Sequence, residues 1–400
     1  MQRGPLPAPI VDAVMYAASA VAAYLLAHHT EFLLHRRWGD TAAPVYAAAA
    51  VVAVVVAVVA GRTDRPLATV RLIVLAFVVA GVTIVPLAHN VDRRADRGPG
   101  GSVLSEAIVV EAGGAAIASG HNPYAVTLDD PAFAQRHPAI RHHFPYLPAM
   151  AAFGLPRAWA GAHRSTDARV VFALFALLVV VLALRTAPSH ARLLATGALV
   201  LFALPPGALS MSSGGDDLPV LALLLLAVTF VAAGRSRRAG LVLGLAMALK
   251  QLAWPVALLL GWYVWRRDGA AGRRLTAWAA AIVVPVVVPF LVWHPSAFVD
   301  DVVRYPLGLT KVATVAASPT FGRTVLAGLL PLGVVVGVAG AVVLLVLFLG
   351  TTSWARASLS RVVLMAGIAL GVAVVVSPAS RFGLLAYPLH LATCALLTRS

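Results

Sequence analysis

The sequence predicts an all-α polytopic membrane protein. Three observations carry the prediction: a shortage of charge, long apolar runs, and basic residues gathered in the short segments between those runs. Of 400 residues, 60% are hydrophobic and 12% charged, about half of the roughly 25% charged content typical of soluble domains. A mean hydropathy of +0.88 traces the deficit to apolar runs and excludes a cytosolic enzyme, a secreted disulfide scaffold and a disordered tail protein. Cys394 is the single cysteine, so no internal disulfide can form. A net charge of +15 would suggest nucleic acid in a soluble chain. Here the arginines sit in short loops, where they orient helices and meet anionic headgroups. Membrane lipid is therefore the expected partner, and nucleic acid is not.

A helix needs about 20 apolar residues to cross the hydrocarbon core. About ten full spans fit this length, at residues 10–28, 41–60, 67–88, 168–185, 192–210, 218–234, 275–293, 325–349, 361–377 and 383–397. The first reads as an uncleaved helix, because Asp12 precedes its apolar stretch and further spans follow at once. Two stretches are interrupted. Residues 145–162 contain Pro145, Pro148 and Pro156, and residues 241–265 carry Lys250 at their centre with Pro255 just beyond. If both dip in and return without crossing, the basic loops share one face and the acidic loops the other. The reading is a single integral membrane domain over 1–400, with two re-entrant or broken segments and an additional helical hairpin over 1–66.

Of the sixteen acidic residues, ten fall in three loops assigned to the outer face: Asp92, Asp96, Glu106, Glu111, Asp129, Asp130, Asp216, Asp217, Asp300 and Asp301. Solvated loops carry charge in any protein, but this concentration beside broken helices points to a polar cavity. The long outer loop over 89–144 exceeds an ordinary connection. Residues 103–119 read as a helix lying on the membrane surface through Val103, Ile108, Val110, Ala115 and Ile117, ended by Gly120. Glu106 and Glu111 are not an i,i+4 pair, yet both reach one pocket if it lies at the helix flank.

The order of motifs resembles glycosyltransferase family 87, an actinobacterial branch of the GT-C membrane transferases. Gly120, Asn122, Pro123 and Tyr124 are similar to its Gly-x-Asn-Pro-Tyr turn, and Phe144, Pro145, Tyr146, Leu147 and Pro148 to its later aromatic–proline element. Asp216-Asp217 followed by Lys250 resembles the family's acid-then-lysine region, and Ser377-Pro378 with Arg381 its C-terminal segment. Two departures stand out: Glu106 occupies the place where the family usually has Asp, and the first two spans are additional.

The resemblance implies a plasma-membrane enzyme, opening to the outside, that moves one sugar of the mannose or pentofuranose class. Its donor would be a polyprenyl phosphate and its acceptor an envelope glycan or glycolipid, with no further cofactor. Such chemistry needs a carboxylate to take the acceptor proton and cations to hold the departing phosphate. Glu106 is the first candidate base, Glu111 the second and Asp92 the third. Asp216 and Asp217 either cap the following helix, position the acceptor or, as a further alternative that no convergence of carboxylates in the sequence indicates, hold a divalent cation. Lys250, an ionisable group in an apolar segment, is a candidate phosphate ligand beside Arg381, Arg304 and Lys311. His142, His143, Asn122, Tyr124 and Tyr146 complete the candidate substrate-binding set. No metal-ligand spacing is apparent. The rival reading is a transporter or flippase of a polyprenyl-linked substrate, since broken helices around a mid-membrane lysine suit transporters too. A catalytically degenerate relative is the third.

Overall fold

The computed structural model describes residues 8–62, 68–128, 141–186, 199–312, 314, 316, 318–352 and 358–397. Every regular element among them is helical. Helices α1 (Ala8–His29) and α2 (Leu33–Arg62) pack on each other. Helix α3 (Ala68–Val79) runs through a π turn at Ala80–Ile84 into α4 (Val85–Arg97), and α5 (Ser105–Ala118) follows. After a 3-10 segment (Pro148–Gly154) come α6 (Leu155–Ala160), α7 (Ala168–Thr186), α8 (Pro205–Ser213) and α9 (Leu218–Ala232). Then α10 (Ser236–Leu249), α11 (Ala253–Arg267) and α12 (Gly269–Trp293) precede the C-terminal α13 (Leu332–Thr352), α14 (Leu359–Val376) and α15 (Ala386–Leu397).

Hydropathy leads to an expectation of ten full spans, whereas six helices among the described residues are long and apolar enough to cross a bilayer. They are Pro9–His29, Leu33–Ala60, Thr69–Arg97, Ala168–Thr186, Gly269–Trp293 and Leu359–Val376, with shorter apolar helices at Leu218–Ala232, Leu332–Leu344 and Phe382–Ala395. Proline explains part of the difference. The run over 192–210 begins outside the described residues and ends as a π turn, Leu199–Ala203, that stops at extended Leu204 before Pro205 and Pro206. Val51, Ile73, Leu178, Leu258 and Val292 are largely exposed, an apolar outer surface that only a bilayer would cover without aggregation.

Backbone groups freed by these interruptions are satisfied by side chains, as the absence of water in a bilayer demands. Pro86 has no N–H for the carbonyl of Val82, and Trp38 of α2 donates its indole N–H to that oxygen at 2.8 Å. The Thr83 hydroxyl donates to the Phe202 carbonyl, and the Tyr46 hydroxyl to the Ala203 carbonyl. The two interrupted stretches of the sequence meet each other. Lys250 is extended (φ −154°, ψ 142°), so the helix breaks there, and Leu147 N–H donates to the Leu249 carbonyl at the helix end at 3.2 Å. The Gln251 amide donates to the carbonyls of Val302 (2.7 Å) and Pro145 (3.2 Å).

Helix α5 reaches the surface only at its C-terminal end, where Ala115 is exposed and Ile117 half-buried; the rest is not the surface-lying helix expected. Val103, Ile108 and Val110 are fully buried among protein, as are residues 107–114 throughout. Glycine makes this packing possible. A Cβ on Gly113 would run into the Phe144 ring, and one on Gly114 into the backbone of Gly154. The helix therefore lies against the 3-10 segment at a separation that larger residues forbid.

Candidate active site

Two clusters of buried charge form near α5, and its two glutamates belong to different ones. Glu106, in the first turn of α5, is paired with Arg381. Leu104 N–H donates to the Ser213 carbonyl at 2.8 Å, tying the start of α5 to the turn that follows α8. In that turn Gly214 has φ +123°, a conformation a side chain would strain, and the next residues are Asp216 and Asp217. Lys250 Nζ donates to Asp216 Oδ1 at 2.8 Å and to Asp217 Oδ1 at 2.5 Å. Tyr387 of α15 donates its hydroxyl to Asp217 Oδ1 at 2.9 Å. Arg381 stands 3.7 Å from Asp216 and 3.8 Å from Asp217, uniting the group. The Tyr146 ring lies beside Lys250, with Nζ 5.4 Å from its centroid.

This first cluster is incompletely satisfied. Asp216 is buried, yet its Oδ2 has no hydrogen-bond partner among the described residues. Burial raises the Asp216 carboxyl pKa; Lys250 opposes and Asp217 reinforces the effect, and the net direction is upward. Three carboxylates, Glu106, Asp216 and Asp217, face two cations, Lys250 and Arg381. The Arg381 and Glu106 side chains keep 26% and 14% of their surface exposed, so one edge of the cluster is reachable from outside.

The second cluster is closed. Arg94 of α4 donates to both Glu111 oxygens (2.8 and 2.6 Å) and to Asp167 at 2.9 Å. Ala168 N–H also donates to Glu111 Oε1, and Arg157 approaches Oε2 at 3.2 Å. Arg169, fully buried, holds both Asp167 oxygens at 2.8 Å. Burial raises the Asp167 carboxyl, but the hydrogen bonds and charges of Arg169 and Arg94 outweigh it and hold the group well below the usual carboxylate range. Glu111, the second candidate base, thus has its lone pairs occupied by scaffold donors.

The other sequence candidates are dispersed. Asp92 forms an exposed pair with Arg164 (2.6 Å), and Arg304 an exposed i,i+4 pair with Asp300 (2.7 Å). Lys311 is exposed and makes no hydrogen bond or ion pair among the described residues. His142 is exposed beside Thr127. The Asn-Pro-Tyr turn is a support. Asn122 Oδ1 accepts Tyr124 N–H (3.0 Å), and the Tyr124 hydroxyl donates to the Tyr146 carbonyl (2.8 Å). His143 Nδ1 meets Asp301 Oδ1 at 2.6 Å and its ring stacks on Tyr305, while Phe144 N–H donates to the second Asp301 oxygen. Burial raises the Asp301 carboxyl against the opposing hydrogen bonds from His143 and Phe144.

Sequence reasoning missed Tyr387, Gln251, Arg94, Asp167 and Arg169. Tyr387 and Gln251 carry no charge to mark them in an apolar run. Arg94 and Arg169 flank apolar runs, as topology-setting arginines do. Among the described residues no three His, Cys, Asp or Glu side chains converge as a metal site.

An apolar helical bundle with a charged, partly open cluster at one end defines a polytopic membrane protein with an internal polar site. The family model for glycosyltransferase family 87 matches residues 144–378, more than half of the chain, and the chain belongs to that family. The match covers Asp216, Asp217 and Lys250, and it excludes Glu106 and Arg381 on either side. Searches of curated proteins and of solved structures return no match.

Proposed function

We propose that the protein transfers a single sugar from a polyprenyl-phosphate donor to an envelope glycan or glycolipid, at the cluster of Glu106, Asp216, Asp217, Lys250 and Arg381. The observation that carries this reading is the pairing of Glu106 with Arg381 at the open edge of a buried cluster. A donor phosphate competes with a carboxylate for the same guanidinium fork. As the phosphate takes Arg381, Glu106 is released to act as base. The acceptor hydroxyl gives its proton to Glu106 and its oxygen bonds the anomeric carbon. The bond from that carbon to the phosphate oxygen breaks, and the phosphate leaves with the electron pair, held by Arg381. Lys250 fixes Asp216 and Asp217, which position the acceptor through the oxygen left free on Asp216. The lipid-linked sugar is itself the activated species, so the reaction needs no further cofactor. The sugar is of the mannose or pentofuranose class, and the site faces the outside of the plasma membrane.

Glu106→Gln in membranes supplied with labelled polyprenyl-phosphate sugar should abolish transfer while expression stays intact. Transfer retained at the wild-type rate would move the base to another carboxylate. Mass spectrometry of lipid co-purified with Glu106→Gln should reveal a polyprenyl phosphate, and a nucleotide sugar bound in its place would overturn the donor assignment.

A further inference from the structure

A cavity of about 230 Å³ lies between the second half of the N-terminal hairpin and α4, with Arg37, Trp38, Asp40, His89, Asn90 and Arg93 in its lining. It is several times the roughly 30 Å³ that one liquid water occupies. It lies outside the segment matched to the family and shares no residue with the cluster around Glu106.

Its charge is unbalanced. Arg37 and Arg93 both line it, and Arg97 follows Arg93 one turn further along α4. None of these three arginines makes an ion pair among the described residues, although Asp40 lines the same cavity and Asp96 is exposed on α4. Nearby Asp92 is engaged by Arg164. Arg37 and Arg93 thus bring two guanidinium forks to the cavity against the single carboxylate of Asp40, donors free for an anion.

The floor is rigid. The Trp38 indole is fixed on the Val82 carbonyl, and the Asn90 amide donates to the Ser212 carbonyl at 2.9 Å. The rim indicates the kind of anion. Val85, His89, Arg93 and Arg97 follow one another at four-residue intervals, hence along one row of α4. Ile84 and Val85 are exposed apolar residues, so this surface passes from acyl-chain to headgroup chemistry at the cavity.

We infer that this cavity is a phosphoanion site, separate from the transfer site, in which Arg37, Arg93 and His89 hold the phosphate ester of a lipid whose chains run along Ile84 and Val85. The inference does not depend on the transferase reading.

The full chain purified in detergent is titrated with dihexanoyl phosphatidylglycerol, dihexanoyl glycerol and inorganic phosphate, with bound species counted by native mass spectrometry. Phosphatidylglycerol should bind, the phosphate-free glyceride should not, and inorganic phosphate should bind more weakly. Losing two charged donors should weaken phosphatidylglycerol by about tenfold or more in Arg37→Gln/Arg93→Gln, with partial recovery in Arg37→Lys/Arg93→Lys. Arg235→Gln/Arg238→Gln, remote from the cavity, should leave it unchanged. If the double variant does not fold, Arg93→Gln alone gives the same comparison. Unchanged affinity in the cavity variants overturns the site. Inorganic phosphate binding as tightly as the lipid overturns the lipid assignment and makes the ligand a soluble phosphoanion.

Discussion

The two charge clusters that divide α5 are built from the same residue types and differ in how fully they are satisfied. Around Arg94, Glu111 and Asp167 carboxylate oxygens meet guanidinium or backbone N–H donors in a closed interior. Around Lys250, one Asp216 oxygen is orphaned and the Glu106–Arg381 edge is partly open. Burial of charge alone therefore does not mark a reaction centre; spare valence and access do. The closed cluster locks α4, α5 and α7 together, and the open one can exchange an internal partner for a substrate group.

The largest effect expected to test this contrast is on stability. Arg94→Ala removes the guanidinium shared by Glu111 and Asp167, leaving Glu111 to Arg157 and Asp167 to Arg169. The loss of its three charged hydrogen bonds should cost about 3–5 kcal/mol, read as a fall in the thermal unfolding midpoint in detergent. Second comes the split between the two glutamates. Glu106→Gln should lower kcat by about a hundredfold or more with the unfolding midpoint nearly unchanged. Glu111→Gln should lower the midpoint first and kcat only through loss of folded protein. The contrast collapses if both variants behave alike.

Third is a pH effect confined to the closed cluster. The Asp167 carboxyl has a folded pKa below its unfolded value of about 3.9, so its contribution to stability is fully present above that value. It is lost as pH falls below it toward the folded pKa. Thermal midpoints from pH 7 down to pH 3 should drop at the acid end in the parent and less steeply in Asp167→Asn. Next, Tyr387→Phe removes one hydrogen bond to Asp217 and should cost about 1 kcal/mol, with a measurable loss of transfer. The smallest effect belongs to the exposed Asp92–Arg164 pair. Asp92→Asn should move stability by less than about 0.5 kcal/mol and leave transfer rates unaltered.

Much of the architecture was legible from local signals. Apolar length marked the helices at 10–28, 168–185, 275–293 and 361–377, and each lies within or closely matches a spanning helix. Lys250 within an apolar run marked the helix break. Of the ten expected spans, six match long apolar helices among the described residues and three match shorter ones; hydropathy is blind to where proline and extended residues such as Leu204 divide an apolar run. The placement of α5 was not legible either. A run of small and apolar residues suits a membrane surface and a tight protein contact equally well, and only the glycine approach to Phe144 and Gly154 decides between them. In the candidate site, Asp216, Asp217 and Lys250 were visible as rare charges beside apolar helices. The separate destinations of Glu106 and Glu111 were not, because they depend on Arg381 and Arg94, whose partners are set by tertiary packing. Tyr387 falls in the C-terminal Ser-Pro segment, but as an uncharged residue nothing singled it out there.

Arg381 has a consequence for biogenesis. It and Tyr387 follow Glu106, Asp216 and Asp217 in the sequence by more than 150 residues. During synthesis three carboxylates enter the membrane region well before one of their two cations and their phenolic donor leave the ribosome. A chain that stops short of residue 381 keeps Lys250 beside Asp216 and Asp217 but leaves Glu106 without its cation, in surroundings that penalise an unpaired charge. Insertion of the segment that carries Arg381 and Tyr387 and maturation of the charged centre thus coincide, and a product truncated before that segment should be recognisable to membrane proteases by its instability.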